Sequence, residues 1–185
     1  MILFINACVR KGSRTLRLAE QLLDTLDGEI KEVKTEEIEF PVVDEEFINR
    51  REELKNAGSY DDTVFSLAKD FAAADTIVIA APYYDLSFPA MLKQYFEQIN
   101  VGGLTFTYSE EGIPQGLCKA KSLYYVTTAG GPIVSDDYGF GYVKALANTF
   151  YGIKEVYRLQ AEGLDIIGAD TDAILNACQI PPERA

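Results

Sequence analysis

Five consecutive apolar residues, Ile77, Val78, Ile79, Ala80 and Ala81, set the first constraint on what this chain can fold into. A strand with one wet face alternates apolar and polar residues. An unbroken run of strand length belongs instead to a strand covered on both faces, as in a parallel sheet. Pro82 removes a backbone donor and ends the run. Beyond the loop YYDL, Phe88, Met91, Leu92, Tyr95, Phe96 and Ile99 recur at intervals of three and four, while Lys93, Gln94, Glu97 and Gln98 fill the other side. That spacing predicts an amphipathic helix, with Ser87 as its cap and Pro89 in its first turn. The unit is strand, loop, helix, and YYDL occupies the carboxyl end of the strand, where open α/β sheets bind ligands.

The same unit recurs along the chain. Residues 2–7 read as a strand, followed by a helical pattern through Leu16, Ala19, Leu22, Leu23 and Leu26. Residues 29–34 suit a strand near a sheet edge, and residues 44–60, polar and charged, read as a surface connection with a helical turn or two. Asp61 or Asp62 then caps a helix whose apolar face is Val64, Phe65, Ala68, Phe71 and Ala72. Residues 122–127 are the fourth strand, Tyr142, Val143, Leu146, Ala147 and Phe150 carry helical spacing, residues 155–161 are the fifth strand, and residues 171–178 a closing helix. Strand and helix alternate five times, which predicts a parallel sheet with helices on both faces. Five strands favour the flavodoxin-like doubly wound order 2-1-3-4-5, and 185 residues suit a single domain over 1–185.

Composition excludes several classes of function. The net charge of −12, from 29 acidic against 17 basic residues, lacks the basic footprint that nucleic acid or an anionic membrane requires. No apolar run approaches the ~20 residues of a membrane span, and MILFINACVRKG lacks the layout of a signal peptide, so a soluble cytoplasmic protein is expected. Cys8, Cys118 and Cys178 are scattered without metal or redox spacing, and read as reduced thiols. The chain contains no histidine, which removes His-based triads, most zinc and haem sites, and the usual general base at neutral pH.

In the 2-1-3-4-5 order the switch point lies between strands one and three, so the loops that follow them face each other across a crevice. The first places Gly12, Ser13, Arg14 and Thr15 around a helix N-terminus, where N–H groups, hydroxyls and a cation can hold a phosphate; an ordinary helix cap with a solvated Arg explains the same residues equally well. The second is Tyr83 to Leu86. Beside them, Thr128, Ala129, Gly130 and Gly131 follow strand four, and adjacent glycines allow close backbone approach to a flat ligand or form a plain turn. The Gly- and aromatic-rich segment 101–121 reads as a long loop or short hairpin. A phosphate in the first loop, a planar group over the second and close backbone in the third describe a flat ring with a phosphorylated tail, for which FMN is the candidate.

IVIAAPYYDLSFPAMLKQYFEQI, GLTFTYSEEG and VTTAGG together resemble the FMN-dependent NADH-azoreductase and NAD(P)H:quinone oxidoreductase family of flavodoxin-like fold, and the likeness runs from the first strand to the AEG at 161–163. The resemblance implies that Ser13, Arg14 and Thr15 bind the FMN phosphate, with Cys8 where a serine often stands. It implies that Pro82, Tyr83, Tyr84, Asp85 and Leu86 contact the isoalloxazine, and that Thr128, Ala129, Gly130 and Gly131 form the family's Gly-Gly loop. Three residues depart from the pattern. Asp85 replaces an Asn, removing an amide donor and placing a carboxylate near the ring. Leu86 replaces an aromatic, and Ala129 stands where some azoreductases carry Arg. The resemblance also implies a homodimer with the site at the subunit interface, for which residues 104–108 and the helix from Phe88 are the expected pieces.

The function implied is an oxidoreductase that passes two electrons from NADH or NADPH through FMN to a quinone or azo acceptor by a ping-pong mechanism. Tyr84 is a candidate proton donor, and no metal is expected. Two other readings are a flavodoxin-type electron carrier whose acidic surface suits a basic partner, and a flavin-free binding protein on the same sheet.

Overall fold

A computed structural model of the chain describes residues 1–181. It is built on a five-stranded sheet whose strands are all parallel, β1 (Ile2–Asn6), β2 (Ile30–Lys34), β3 (Thr76–Ala80), and the later β6 (Ser122–Thr128) and β7 (Glu155–Ala161), in the spatial order β2-β1-β3-β6-β7. Relabelled by sheet strand this is 2-1-3-4-5, the expected flavodoxin-like order. The remaining strands, β4 (Phe106–Tyr108) and β5 (Pro114–Gly116), form a separate antiparallel hairpin.

The unbroken apolar runs are explained by a core on each side of the sheet. In β1 and β3, Leu3, Ile5, Ile77 and Ile79 point to one face, and Ile2, Phe4, Val78 and Ala80 to the other. The first face is covered by α3 (Ser66–Ala73), α4 (Ala90–Ile99) and α5 (Phe140–Leu146), through Phe71, Leu92, Phe96 and Leu146. The second is covered by α1 (Arg14–Leu23) and α6 (Thr171–Asn176), through Leu18, Leu22 and Leu175. The sheet-edge strand β2 is mostly exposed, as its charge alternation implies.

Several local expectations change. Residues 44–60 hold not a turn or two but the 12-residue helix α2 (Glu45–Asn56), capped by Asp44 and without a buried residue. A helix with only Phe47, Ile48 and Leu54 as apolar residues offers little apolar periodicity to read, so its cap is its main sequence signal. Asp62, not Asp61, makes the cap before α3, through a short 3-10 turn at Thr63–Phe65. In front of α4 the cap position belongs to Pro89 and no side chain bonds there, while Ser87 closes the preceding turn instead. Gln98, expected on the polar side of α4, is buried at 5% exposure. The segment after α5 widens into a π-helical turn, Ala147–Tyr151, where β5 and the Phe106 ring pack; Phe106 and Phe150 meet edge to face at 4.9 Å. No helix among the described residues is long and apolar enough to cross a membrane.

Candidate active site

Because β1 is flanked by β2 and β3, the chain leaves β1 toward one face of the sheet and β3 toward the other, and a crevice opens between the two departing loops. The crevice measures about 470 Å³ and is walled by Arg10 to Thr15, by Pro82, Tyr83 and Tyr84, by Thr128 and Gly130, and by Asp165 from the segment after β7. Larger hollows exist, about 550 Å³ beside α2 and the hairpin and about 630 Å³ on the acidic outer side of α2. The second is a shallow surface among Asp44, Glu45, Glu46 and Glu53, and neither gathers loops from the strand ends, so the crevice at the switch point is the site with convergent chemistry.

The first loop is fixed around the N-terminus of α1. Ser13 accepts a hydrogen bond from the Leu16 N–H at 3.3 Å, which caps α1, and its hydroxyl also lies within reach of the Cys8 thiol. Thr15 is buried at 1% exposure, and its hydroxyl pairs with that of Thr128 at 2.6 Å, tying the first loop to the end of β6. Arg14 donates to the Leu164 carbonyl at 3.1 Å and to Asp165 at 2.7 Å. The Arg14 hydrogen bond, with its charge, holds the Asp165 carboxyl below the usual carboxylate range. The cations in the crevice without an ion pair among the described residues are therefore Arg10 and Lys11, both exposed.

Cys8 does not line the crevice. It is 7% exposed and packs beneath the loop, its N–H donating to Asn6 Oδ1 at 2.9 Å and its thiol directed at the Ala80 carbonyl. Asn6 is held in turn by donating to Glu32 at 2.8 Å. Burial pushes the Cys8 thiol up to about 11, opposed by a hydrogen bond with Ser13 and reinforced by the Glu20 charge, so it is a neutral packing group at physiological pH.

The second loop is a tight turn. Tyr84 and Ser87 exchange backbone hydrogen bonds, N–H to O at 3.0 Å and 2.7 Å, and the two residues between them, Asp85 and Leu86, have φ of +50° and +68°. Positive φ at both central positions is the signature of a type I′ turn; Asp tolerates it, and a leucine there is strained. Both side chains are exposed and stand outside the crevice wall, unlike Pro82, Tyr83 and Tyr84. The Tyr83 N–H donates to the Thr128 carbonyl at 3.0 Å, linking the second loop to the third.

The third loop continues the β6–β7 ladder past the strand ends. Ala129 donates to Ala161, and Leu164, Asp165 and Gly163 donate to Ala129, Gly130 and Gly131, all at 2.9–3.2 Å. This ladder carries Asp165 to the floor of the crevice, where a Cβ on Gly130 would lie 2.1 Å from its Oδ2 and would force the Asp165 side chain to turn aside. Ala129 is buried at 4% exposure and is not in the crevice wall. Arg10 and Lys11 were legible as adjacent cations in CVRKGSRT, whereas no local signal marks Asp165, which lies 151 residues from its partner Arg14.

The family model for the flavodoxin-like fold matches residues 1–179. The chain belongs to the flavodoxin-like family. Among the relatives of this flavodoxin-like protein, an FMN-dependent NADH:quinone oxidoreductase of Lachnoclostridium phytofermentans is 33% identical over 182 residues, covering 93% of this chain and 90% of that one. FMN-dependent NADH:quinone oxidoreductase 2 of Clostridium acetobutylicum is 39% identical over 137 residues, 71% of this chain and 68% of its own. An azoreductase structure from Bacillus anthracis superposes with a TM-score of 0.81 at 23% identity, over 95% of this chain and 93% of that chain. An FMN-dependent NADH-azoreductase of the same species, solved with FMN, gives 0.77 at 22% identity, over 95% and 92%. At these identities the structural likeness establishes the fold.

Proposed function

We propose that this flavodoxin-like protein is an FMN-dependent oxidoreductase that passes two electrons from a reduced nicotinamide to a quinone or azo acceptor. The observation that carries the reading is the switch-point crevice, where a helix N-terminus and two free cations face an aromatic wall across a backbone floor. These residues suit FMN. The phosphate matches Arg10, Lys11, the Ser13 hydroxyl and the N–H groups opening α1. A flat ring matches Tyr83 and Tyr84 on one side and Gly130, free of a side chain, on the other. The sequence relationship to proteins named FMN-dependent NADH:quinone oxidoreductases points the same way.

FMN held by these residues would supply the redox chemistry, two-electron transfer between a reduced nicotinamide and the acceptor. The chain supplies position and environment. The first loop fixes the phosphorylated tail, and the Thr15–Thr128 and Tyr83–Thr128 hydrogen bonds keep the three loops at constant separation. The Asp85 carboxylate, on the rim, disfavours negative charge near the ring, and the Tyr84 hydroxyl is the chain's own candidate for protonating the acceptor. One acceptor-binding face used in turn by nicotinamide and acceptor requires ping-pong kinetics, read as parallel double-reciprocal plots.

The rim is also the surface for a second copy of the chain. Leu86, Val134, Tyr138 and Ile166 are 45%, 67%, 59% and 61% exposed, and Ile167 is fully so. The aromatics of α4 expected at such an interface, Tyr95 and Phe96, are wholly buried, and Phe88 nearly so; they are core residues. The hairpin keeps Tyr108 exposed at 57%.

The deciding experiment is the visible spectrum of purified protein after incubation with FMN and desalting, followed by anaerobic NADH. Retained flavin bands that bleach are expected. Bands that persist with both NADH and NADPH would indicate an electron carrier, a role the −12 charge suits, and absence of retained flavin would overturn the site.

A further inference from the structure

Behind the aromatic wall of the crevice lies a second, much smaller cavity of about 10 Å³ that the proposed reaction does not use. The face of the sheet under α4 and α5 is apolar through Ile77, Ile79 and Leu123, then turns polar at its carboxyl edge. The register pairs Tyr125 with Arg158 and Thr127 with Gln160, and alternation puts all four on that one face, with Tyr83 arriving from β3 on the same side. Tyr125 and Thr127 are 1% and 3% exposed. The hydroxyls of Tyr83, Tyr125 and Thr127 and the side-chain oxygen of Gln160 are all buried without a hydrogen-bond partner in the protein, and all four residues line this cavity. The Tyr125 and Thr127 hydroxyls lie near each other without completing a regular hydrogen bond, and burial keeps the Tyr125 phenol protonated as a neutral donor.

The outer side of the cavity is lined by the segment between β6 and α5. Arg158 pairs with Asp136 and lies over the Phe140 ring at 5.1 Å, while Gly139 and Gly141 donate to the Asp136 carbonyl at 3.3 Å and 2.7 Å. Buried polar groups in folded proteins are almost always satisfied, and a volume near one probe sphere with two to four polar partners is what a single water needs. The inventory closes. Tyr83 and Tyr125 donate two hydrogen bonds, the Gln160 oxygen accepts one, and the Thr127 hydroxyl takes the fourth.

We propose that one water molecule is bound here as a permanent part of the fold, and that through it Tyr83 is a positioning residue for the loop carrying Tyr84 and the strained Asp85–Leu86 turn. Tyr83 lines both cavities and so connects the water site to the crevice. The positioning half of the proposal rests on the crevice being the FMN site; the water half does not.

The test combines a crystal structure at high resolution with FMN titration of the apoprotein by fluorescence quenching, on wild type, Tyr83→Phe and Gln160→Met. An ordered water within hydrogen-bond distance of Tyr83, Tyr125, Thr127 and Gln160 is expected in wild type. Both variants should weaken FMN binding by about three- to tenfold, the scale of one lost hydrogen bond. Gln160 lies outside the crevice wall, so its effect must pass through the water and Tyr83. A fall in melting temperature with FMN affinity unmoved in both variants would overturn positioning, and a dry cavity in wild type would overturn the water site. Wild type that takes up no FMN overturns the cofactor reading instead, with the water still read from the density.

Discussion

At the residue scale, the crevice separates cations that are committed from cations that are available. Arg14 is engaged by Asp165 and the Leu164 carbonyl, whereas Arg10 and Lys11 face the space a phosphate would take. Replacing both with Ala should raise the FMN dissociation constant by roughly 10- to 100-fold, since charge-assisted bonds to phosphate are worth about 1.5–3 kcal/mol each before solvent screening at exposed sites. Replacing Arg14 alone should cost less than the pair, and fluorescence titration separates the two cases. Cys8 yields a prediction on stability. Its thiol titrates near 9 when unfolded and about 11 when folded, so between those values the unfolded chain loses a proton that the native chain keeps. Stability is therefore intact below about pH 9 and falls as pH rises toward 11, by about 2–3 kcal/mol from this group. Urea midpoints across that range should drop for wild type and drop less for Cys8→Ser.

At the element scale, the hairpin β4–β5 is attached through backbone contact with the π turn after α5 and not through a large apolar face. A Cβ on Gly116 would lie 2.1 Å from the Gly152 nitrogen, a backbone atom that cannot step aside. Gly116→Ala should destabilise the protein by roughly 2–4 kcal/mol, read from denaturant unfolding, with hydrogen exchange accelerated first in the hairpin. Helix α2 behaves differently. None of its residues is fully buried; it is held by its Asp44 cap, by Leu54 packing against the core and by Arg51 donating to the Glu97 and Asn100 carbonyls, and it was the element least readable in advance. The amphipathic helices α1 and α4 were readable because burial imposes a period of about 3.6 on their apolar residues.

At the scale of the whole molecule, the proposed function asks a chain of charge −12 to admit an anionic phosphate beside Arg10 and Lys11. At ~0.01 M salt, with a screening length of ~30 Å, an approaching FMN meets the net negative field; at ~0.15 M, with ~8 Å, it meets mainly Arg10 and Lys11. The association rate of FMN, followed by stopped-flow quenching, should therefore rise with salt over this range. A simple pair of opposite charges would show the reverse.

The carboxyl-edge loops show how far the sequence reaches. Ile77 to Ala81 and the fivefold alternation of strand and helix were sufficient for the sheet, its order and the meeting of the Ser13 and Tyr83 loops, because burial on two faces leaves a periodic record that any local window contains. The sequence alone also put Ser13, Arg14, Thr15, Pro82, Tyr83, Tyr84, Thr128 and Gly130 at one crevice, through topology and through resemblance. Only the tertiary structure decided which of them face it: Cys8 and Ala129 pack inward, Asp85 and Leu86 turn outward at positive φ, and Asp165 arrives along the β6–β7 ladder to claim Arg14. Such assignments depend on contacts between residues more than a hundred positions apart, and long-range pairing leaves no period in the chain for a local reading to detect.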